Sequence, residues 1–160
     1  MFYVPSSKKS GLTLMEILIV IAILAILFVI GLVTMNPAGQ FARARNSQRE
    51  LSINAIMTAV RQNVAENRTG KFVCSGIGDI PTSTTRMAVS GYNIAPCLVA
   101  NGDFTGYLPN MPFDPSDDNA FYNNIGAYDT GYEIVMNAST SEITISAPSA
   151  ELGKIIFITR

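Results

Sequence analysis

The run ILIVIAILAILFVIGLVTM, from Ile17 to Met35, contains no charged side chain, and a carboxylate, Glu16, stands immediately before it. Counted from Leu12, the apolar segment would make roughly 36 Å of helix, enough to cross a hydrocarbon core of roughly 30 Å. Only Thr13, Glu16, Gly31 and Thr34 interrupt its apolar character. A helix that is apolar on every side calls for lipid or other such helices around it, although the buried helix of a soluble core reads the same way. A carboxylate at its head is costly and therefore points to a function.

Lys8 and Lys9 precede the run, which predicts the amino terminus inside and the rest of the chain outside; Arg43, Arg45 and Arg49 on the far flank oppose that rule. An ordinary secretory signal carries its small-residue cleavage site after the apolar run. The Asn36-Pro37-Ala38-Gly39 stretch makes no convincing site of that kind, whereas Ser10-Gly11 stands before the run, directly after the lysines. A cut at Gly11 leaves the apolar helix on the mature protein.

The order Lys8-Lys9-Ser10-Gly11 followed by Leu12-Thr13-Leu14-Met15-Glu16-Ile17 resembles the class III signal of type IV prepilins and of the related pseudopilins. The resemblance implies a membrane peptidase that cuts between Gly11 and Leu12 and methylates the new Leu12 amine. It implies that Glu16 is the assembly glutamate, paired with the terminal amine of a neighbouring subunit. Leu12 stands where most members carry phenylalanine, and Met15 where leucine or isoleucine is usual. The implied partners are further copies of the chain, the prepilin peptidase/methyltransferase, a membrane assembly platform and, before assembly, membrane lipid. The implied location is single-pass in the cell membrane with a cytoplasmic amino terminus, then an extracellular filament.

Asn36, Pro37 and Gly39 cluster helix breakers after the span, and Gly31 adds a weak point before it, so a kink or unwound stretch is expected between Gly31 and Gly39. A simple break between two helices is the alternative. Helical periodicity resumes at Phe41, with Ile53, Ile56, Met57, Val60 and Val64 in one apolar stripe. Arg49, Ser52, Arg61, Gln62 and Glu66 are assigned to other faces, and Thr69-Gly70 ends the run.

The Gly-, Ser-, Thr- and Pro-rich stretch from Phe72 to Tyr107 reads as a long connection with one short strand, within a connecting region over 71–131. Tyr132–Ala138 and Glu142–Ala147, separated by Ser139-Thr140-Ser141, read as a β-hairpin, and Lys154–Thr159 as a further strand. The organisation expected is thus a leader over 1–11, an assembly helix over 12–35, an amphipathic helix over 36–70, a connection over 71–131 and strands over 132–160. This is an α+β arrangement in which a long amino-terminal helix packs on a small antiparallel sheet, and it is also the pilin architecture.

Cys74 and Cys97 have no further cysteine or histidine to complete a zinc site. In an exported domain they are expected to form a disulfide, with two free buried thiols as the alternative. The run Leu108-Pro109-Asn110-Met111-Pro112-Phe113-Asp114-Pro115 is similar to the segment before the last strands of pilins and pseudopilins, some of which bind calcium nearby. Asp114, Asp117 and Asp118 offer oxygen ligands for calcium. They are equally ordinary turn formers, the EF-hand spacing is absent, and no other cofactor is expected.

Six basic and two acidic residues lie between 36 and 71, against three basic and nine acidic ones from 72 to 160. A basic stem and an acidic head are either two solvated surfaces or the two sides of a contact between copies. The acidic head argues against direct nucleic-acid binding. With no histidine, no phosphate-cradling glycine motif and no nucleophile motif, an enzyme is not expected. The resulting function is a structural subunit of a type IV pilus-like filament. The alternatives are a pseudopilin of a type II secretion or DNA-uptake machine and a membrane-tethered binding domain or enzyme.

Overall fold

A computed structural model describes residues 11–34, 36–102 and 105–160. Helix α1, Leu14–Thr34, is built from the uncharged run. No described side chain between residues 11 and 30 is buried, and Leu14–Leu32 is long and apolar enough to cross a membrane. Helix α2 follows at Pro37–Glu66. Between them Asn36 has φ +40° and its Oδ1 accepts the Gly39 N–H at 3.3 Å. Asparagine tolerates this left-handed conformation and caps well, and Pro37 sits at the first helical position, where its missing N–H costs nothing. The helix therefore stops and restarts at 34–37, while Gly31 lies inside α1 and Gly39 inside α2.

By internal contacts the chain divides into two compact units, Met1–Gln40 and Phe41–Arg160. In the second, one face of α2 enters a core with a five-stranded antiparallel sheet. The strands are β1 (Thr85–Ala88), β2 (Phe121–Asn124), β3 (Ala127–Met136), β4 (Ile143–Ala147) and β5 (Ile156–Thr159). Their order is β1-β3-β4-β5, with β2 also on β3. Ile53, Ile56, Met57 and Val60 of α2 share a buried cluster with Tyr132, Ile134, Ile145 and Ile156 of the sheet. In β4 the alternation is clean: Ile143, Ile145 and Ala147 face inward while Thr144 and Ser146 are half-buried. The class is α+β, a long amino-terminal helix, a second helix and a small antiparallel sheet, consistent with a pilin-like fold.

Three features differ from the sequence-based expectation. First, the 71–131 stretch contains β1, β2, the short helix α3 (Ala95–Leu98) and the start of β3. Second, β3 begins at Ala127, five residues before Tyr132, with the unexpected hairpin Asn124↔Ala127 leading into it. Third, β3–β4 pairing ends at Met136↔Ile143, so the turn spans 137–142 and is wider than Ser139–Ser141. Asn137 Oδ1 accepts the N–H groups of Ser139 and Thr140, which turns the chain before it reaches the serine-threonine cluster.

The Cys74 and Cys97 sulfurs are bonded, with Cα atoms 5.5 Å apart across 23 residues of sequence. Closing a loop of that length stabilises the head by roughly 3 kcal/mol in the chain-entropy view. It ties the strandless part of the 71–131 stretch, next to the buried Phe72, to α3.

Candidate functional site: the processing segment and the arginine cluster

Gly11, Leu12 and Thr13 precede the first turn of α1, so the Gly11–Leu12 peptide lies in non-helical backbone, and a Cβ added at Gly11 would meet nothing within 4 Å. Leu12 is 71% exposed. Lys8, Lys9 and Ser10 lie outside the described residues. Thr13 caps α1: its Oγ1 accepts the Glu16 N–H at 3.2 Å, and its carbonyl accepts the N–H groups of Glu16 and Ile17. Thr13-Leu14-Met15-Glu16 thus has the spacing of a capping box, a local signal that reading Glu16 only as a charge in lipid overlooks. The Glu16 side chain is exposed. It is the only charged side chain in α1.

The second unit holds a cluster built on Arg49. The sequence assigns Arg49 and Ser52 to the outer faces of α2, and the structure overturns this: Arg49 is 0% and Ser52 8% exposed. Ala42, Asn46, Arg49, Ile53, Ile56 and Val60 follow one helical stripe, so the buried face simply extends about three turns before Ile53. All five guanidinium N–H groups of Arg49 find acceptors. Nε donates to Asp114 Oδ2 at 2.7 Å and Nη2 to Asp114 Oδ1 at 3.0 Å and Ser116 Oγ at 2.5 Å. Nη1 donates to Asn46 Oδ1 at 2.9 Å and Glu151 Oε2 at 3.0 Å. Burial pulls the guanidinium pKa down, and the hydrogen bonds and charges of Asp114 and Glu151 outweigh it, leaving Arg49 above its ordinary value.

Glu151 also takes Arg45 in a bidentate pair at 2.7 and 2.5 Å. Asn46 completes the attachment: its Nδ2 donates to the Glu151 carbonyl at 2.8 Å, and its Oδ1 accepts the Glu151 N–H at 2.9 Å. Hydrogen bonds from Arg45 and then Arg49 hold the Glu151 carboxyl down to about 2. A carboxyl with a depressed folded-state pKa contributes stability above its ordinary value, and that contribution fades as pH falls toward the folded value. The stability difference between the parent and Glu151→Gln is therefore expected to be full above about pH 4.5 and to vanish as pH falls to about 2. Urea midpoints of both proteins across that range measure it, and a difference independent of pH would refute the assignment.

Asp114 does double work. Its Oδ1 also accepts the N–H groups of Ser116 and Asp117, and its own N–H donates to the Thr130 carbonyl at 2.8 Å. β3 has β2 against its beginning and β4 against its end, and this bond fixes the 114–117 turn to the stretch between them. Gly131 makes room: it has φ +74°, and a Cβ there would lie 2.9 Å from Asp114 Cβ.

Two of the three calcium candidates are engaged by arginines in this arrangement. Asp114 belongs to Arg49. Asp117 is drawn below its ordinary pKa by the Asn119 N–H and by Arg86, whose Nη2 lies 2.7 Å from Asp117 Oδ2 while its Nε lies 2.6 Å from Asp129 Oδ1. Asp118 is exposed, and no group of three or more acidic, cysteine or histidine side chains among the described residues is placed to hold a metal ion. The basic stem and acidic head meet within one chain at Arg45–Glu151 and Arg49–Asp114, while Lys154–Glu50 joins them with the charges reversed. Position on the stripe could have exposed Arg49 in the sequence. Nothing local marks Glu151, which reaches α2 from 105 residues away.

Comparison with known proteins finds the prokaryotic N-terminal methylation motif over residues 6–32. No curated protein and no solved structure matches the chain. The chain therefore carries at its amino terminus the class III signal peptide of type IV pilins and their relatives, the recognition signal of the prepilin peptidase, on a helix apolar enough to anchor it in a membrane.

Proposed function

We propose that the protein is a structural subunit of a type IV pilus-like surface filament, anchored in the membrane by its apolar helix and polymerised through it. The carrying observation is the order of parts: a glycine in accessible non-helical backbone, then a capped helix start with one carboxylate, then an uncharged helix with no buried face. An anchor that is to be discarded needs no charge in it. A helix that is to leave lipid for a bundle of its own kind gains a positional constraint from a charge that must find a partner. In this reading Gly11 is the cleavage residue, Leu12 the methylated terminus and Glu16 the partner of a neighbour's terminal amine. The head, held by the Arg49 cluster and the Cys74–Cys97 bond, is the cargo displayed on the fibre surface.

Mass spectrometry of sheared surface fibres tests this directly. The expected species begins at Leu12 and carries one added methyl group. Fibres composed of the uncleaved chain, or a mature protein that lacks the apolar helix and remains monomeric, would overturn it.

A further inference from the structure

At one end of the head lies a cavity of about 510 Å³ with an apolar floor of Val64, Phe72, Ile80 and Met136. Its rim carries Arg61, Lys71 and Arg160 against a single acid, Asp79. None of the three cations has an ion-pair partner among the described residues, in contrast to Arg45, Arg49 and Arg86. The turn between Phe113 and Phe121 has the opposite character. Phe113 and Phe121 are 42% and 44% exposed, and Asp118 between them is exposed with no cation beside it among the described residues. Asp114 and Asp117 of the same turn are each matched to an arginine, so Asp118 is the unmatched charge of the group.

These surfaces stand toward opposite ends of β3. Phe121 pairs opposite Asp129, while the cavity is lined by Met136, seven residues on and roughly 20–25 Å along the strand. They are complementary in charge and in apolar character, and within one head they are far apart. A patch and a pocket at different places on one molecule make a heterologous contact, and such contacts propagate as open helical assemblies when the rotation does not close.

We propose that the cavity receives the 113–121 turn of a second copy, with Phe121 on the apolar floor and Asp118 against Lys71 and the neighbouring arginines. This contact rests on the filament reading and adds to it a head-to-head register beside the register set by the apolar helix. It also gives a role to the part of the stem's positive charge that the chain does not neutralise internally.

Two measurements on filaments of the full-length protein test it. Carbodiimide treatment, which joins a carboxylate to a touching amine, should give an Asp118–Lys71 cross-linked peptide in filaments and none in detergent-dispersed monomers. Asp118→Lys and Lys71→Glu should each lower the yield of sheared filaments several-fold, and the two together should restore it, since both positions are exposed and the exchange only swaps the charges. Filaments that lack the cross-link and form normally from both single variants would overturn this contact and leave the filament reading standing. Failure of the unaltered chain to form filaments would overturn both.

Discussion

Replacing Arg49 by alanine is expected to lower the stability of the head by about 3–5 kcal/mol, the range for removing one partner of a buried ion pair. Both side chains of the Arg49–Asp114 pair are 0% exposed, so the remaining Asp114 carboxylate would stay buried without its cation. An exposed pair of similar geometry would contribute only about 0–1 kcal/mol, because water and salt compete for both charges. Asp114→Ala should cost a comparable amount, since it strands the guanidinium and also removes the acceptor that shapes the 114–117 turn. The double variant Arg49→Met with Asp114→Leu should lose much less than the sum of the two single losses, because neither leaves an unmatched charge. Arg43, exposed on the same helix, supplies the control, and its alanine variant should be near neutral. Urea unfolding of the detergent-dispersed full-length protein reads all four. A loss below about 1 kcal/mol for Arg49→Ala would show that the pair is solvated like an ordinary surface contact.

This cluster also marks where sequence reasoning loses its grip. The apolar helix is legible because its signal is local and long, and the inner stripe of α2 is legible because five apolar side chains repeat at helical spacing. An arginine on that stripe reads as solvent-facing by its chemistry alone. It can be buried only because Asp114 and Glu151 come to it from 65 and 102 residues away, and no local pattern encodes such partners.

The sheet divides in the same way. β4 alternates cleanly and can be read, whereas β1 and β2 have four residues each and are surrounded by turn formers. Gly131 hides the first half of β3. In the sequence it looks like a strand-breaker, and in the fold it is the place where the 114–117 turn presses against the strand. Two of the aspartates that look like cation ligands, Asp114 and Asp117, are turn formers and arginine partners at once. Sequence chemistry alone could not rank these roles, because the competing cations, Arg49 and Arg86, lie on other elements.

Glu16→Val is expected to abolish filament formation while leaving leader removal and membrane insertion intact. An acidic side chain at the centre of an inserting helix costs roughly 2.5–3.5 kcal/mol, and Glu16 sits near the end, where the cost is smaller, so valine inserts at least as well. Valine also keeps the backbone N–H that Thr13 Oγ1 accepts, so the start of α1 survives and the substitution isolates the carboxylate. With α1 spanning a membrane, that carboxylate would lie near the aqueous boundary, since it sits in the first turn of the helix. In the proposed bundle of apolar helices it would be dry, and a neighbouring subunit's terminal amine, displaced along the axis and freed by the proposed cut at Gly11, would be its cation. In the proposed filament, losing it would remove the one charged marker of axial register on α1. Glu16→Gln separates the two contributions: it keeps the shape and a hydrogen-bonding oxygen but not the charge, and it should fail like valine if charge sets the register. Leader removal is read by gel mobility, insertion by membrane fractionation and assembly by the yield of sheared fibres. A normal fibre yield from Glu16→Val would mean that register is set elsewhere, and the contact between heads would then carry that role alone.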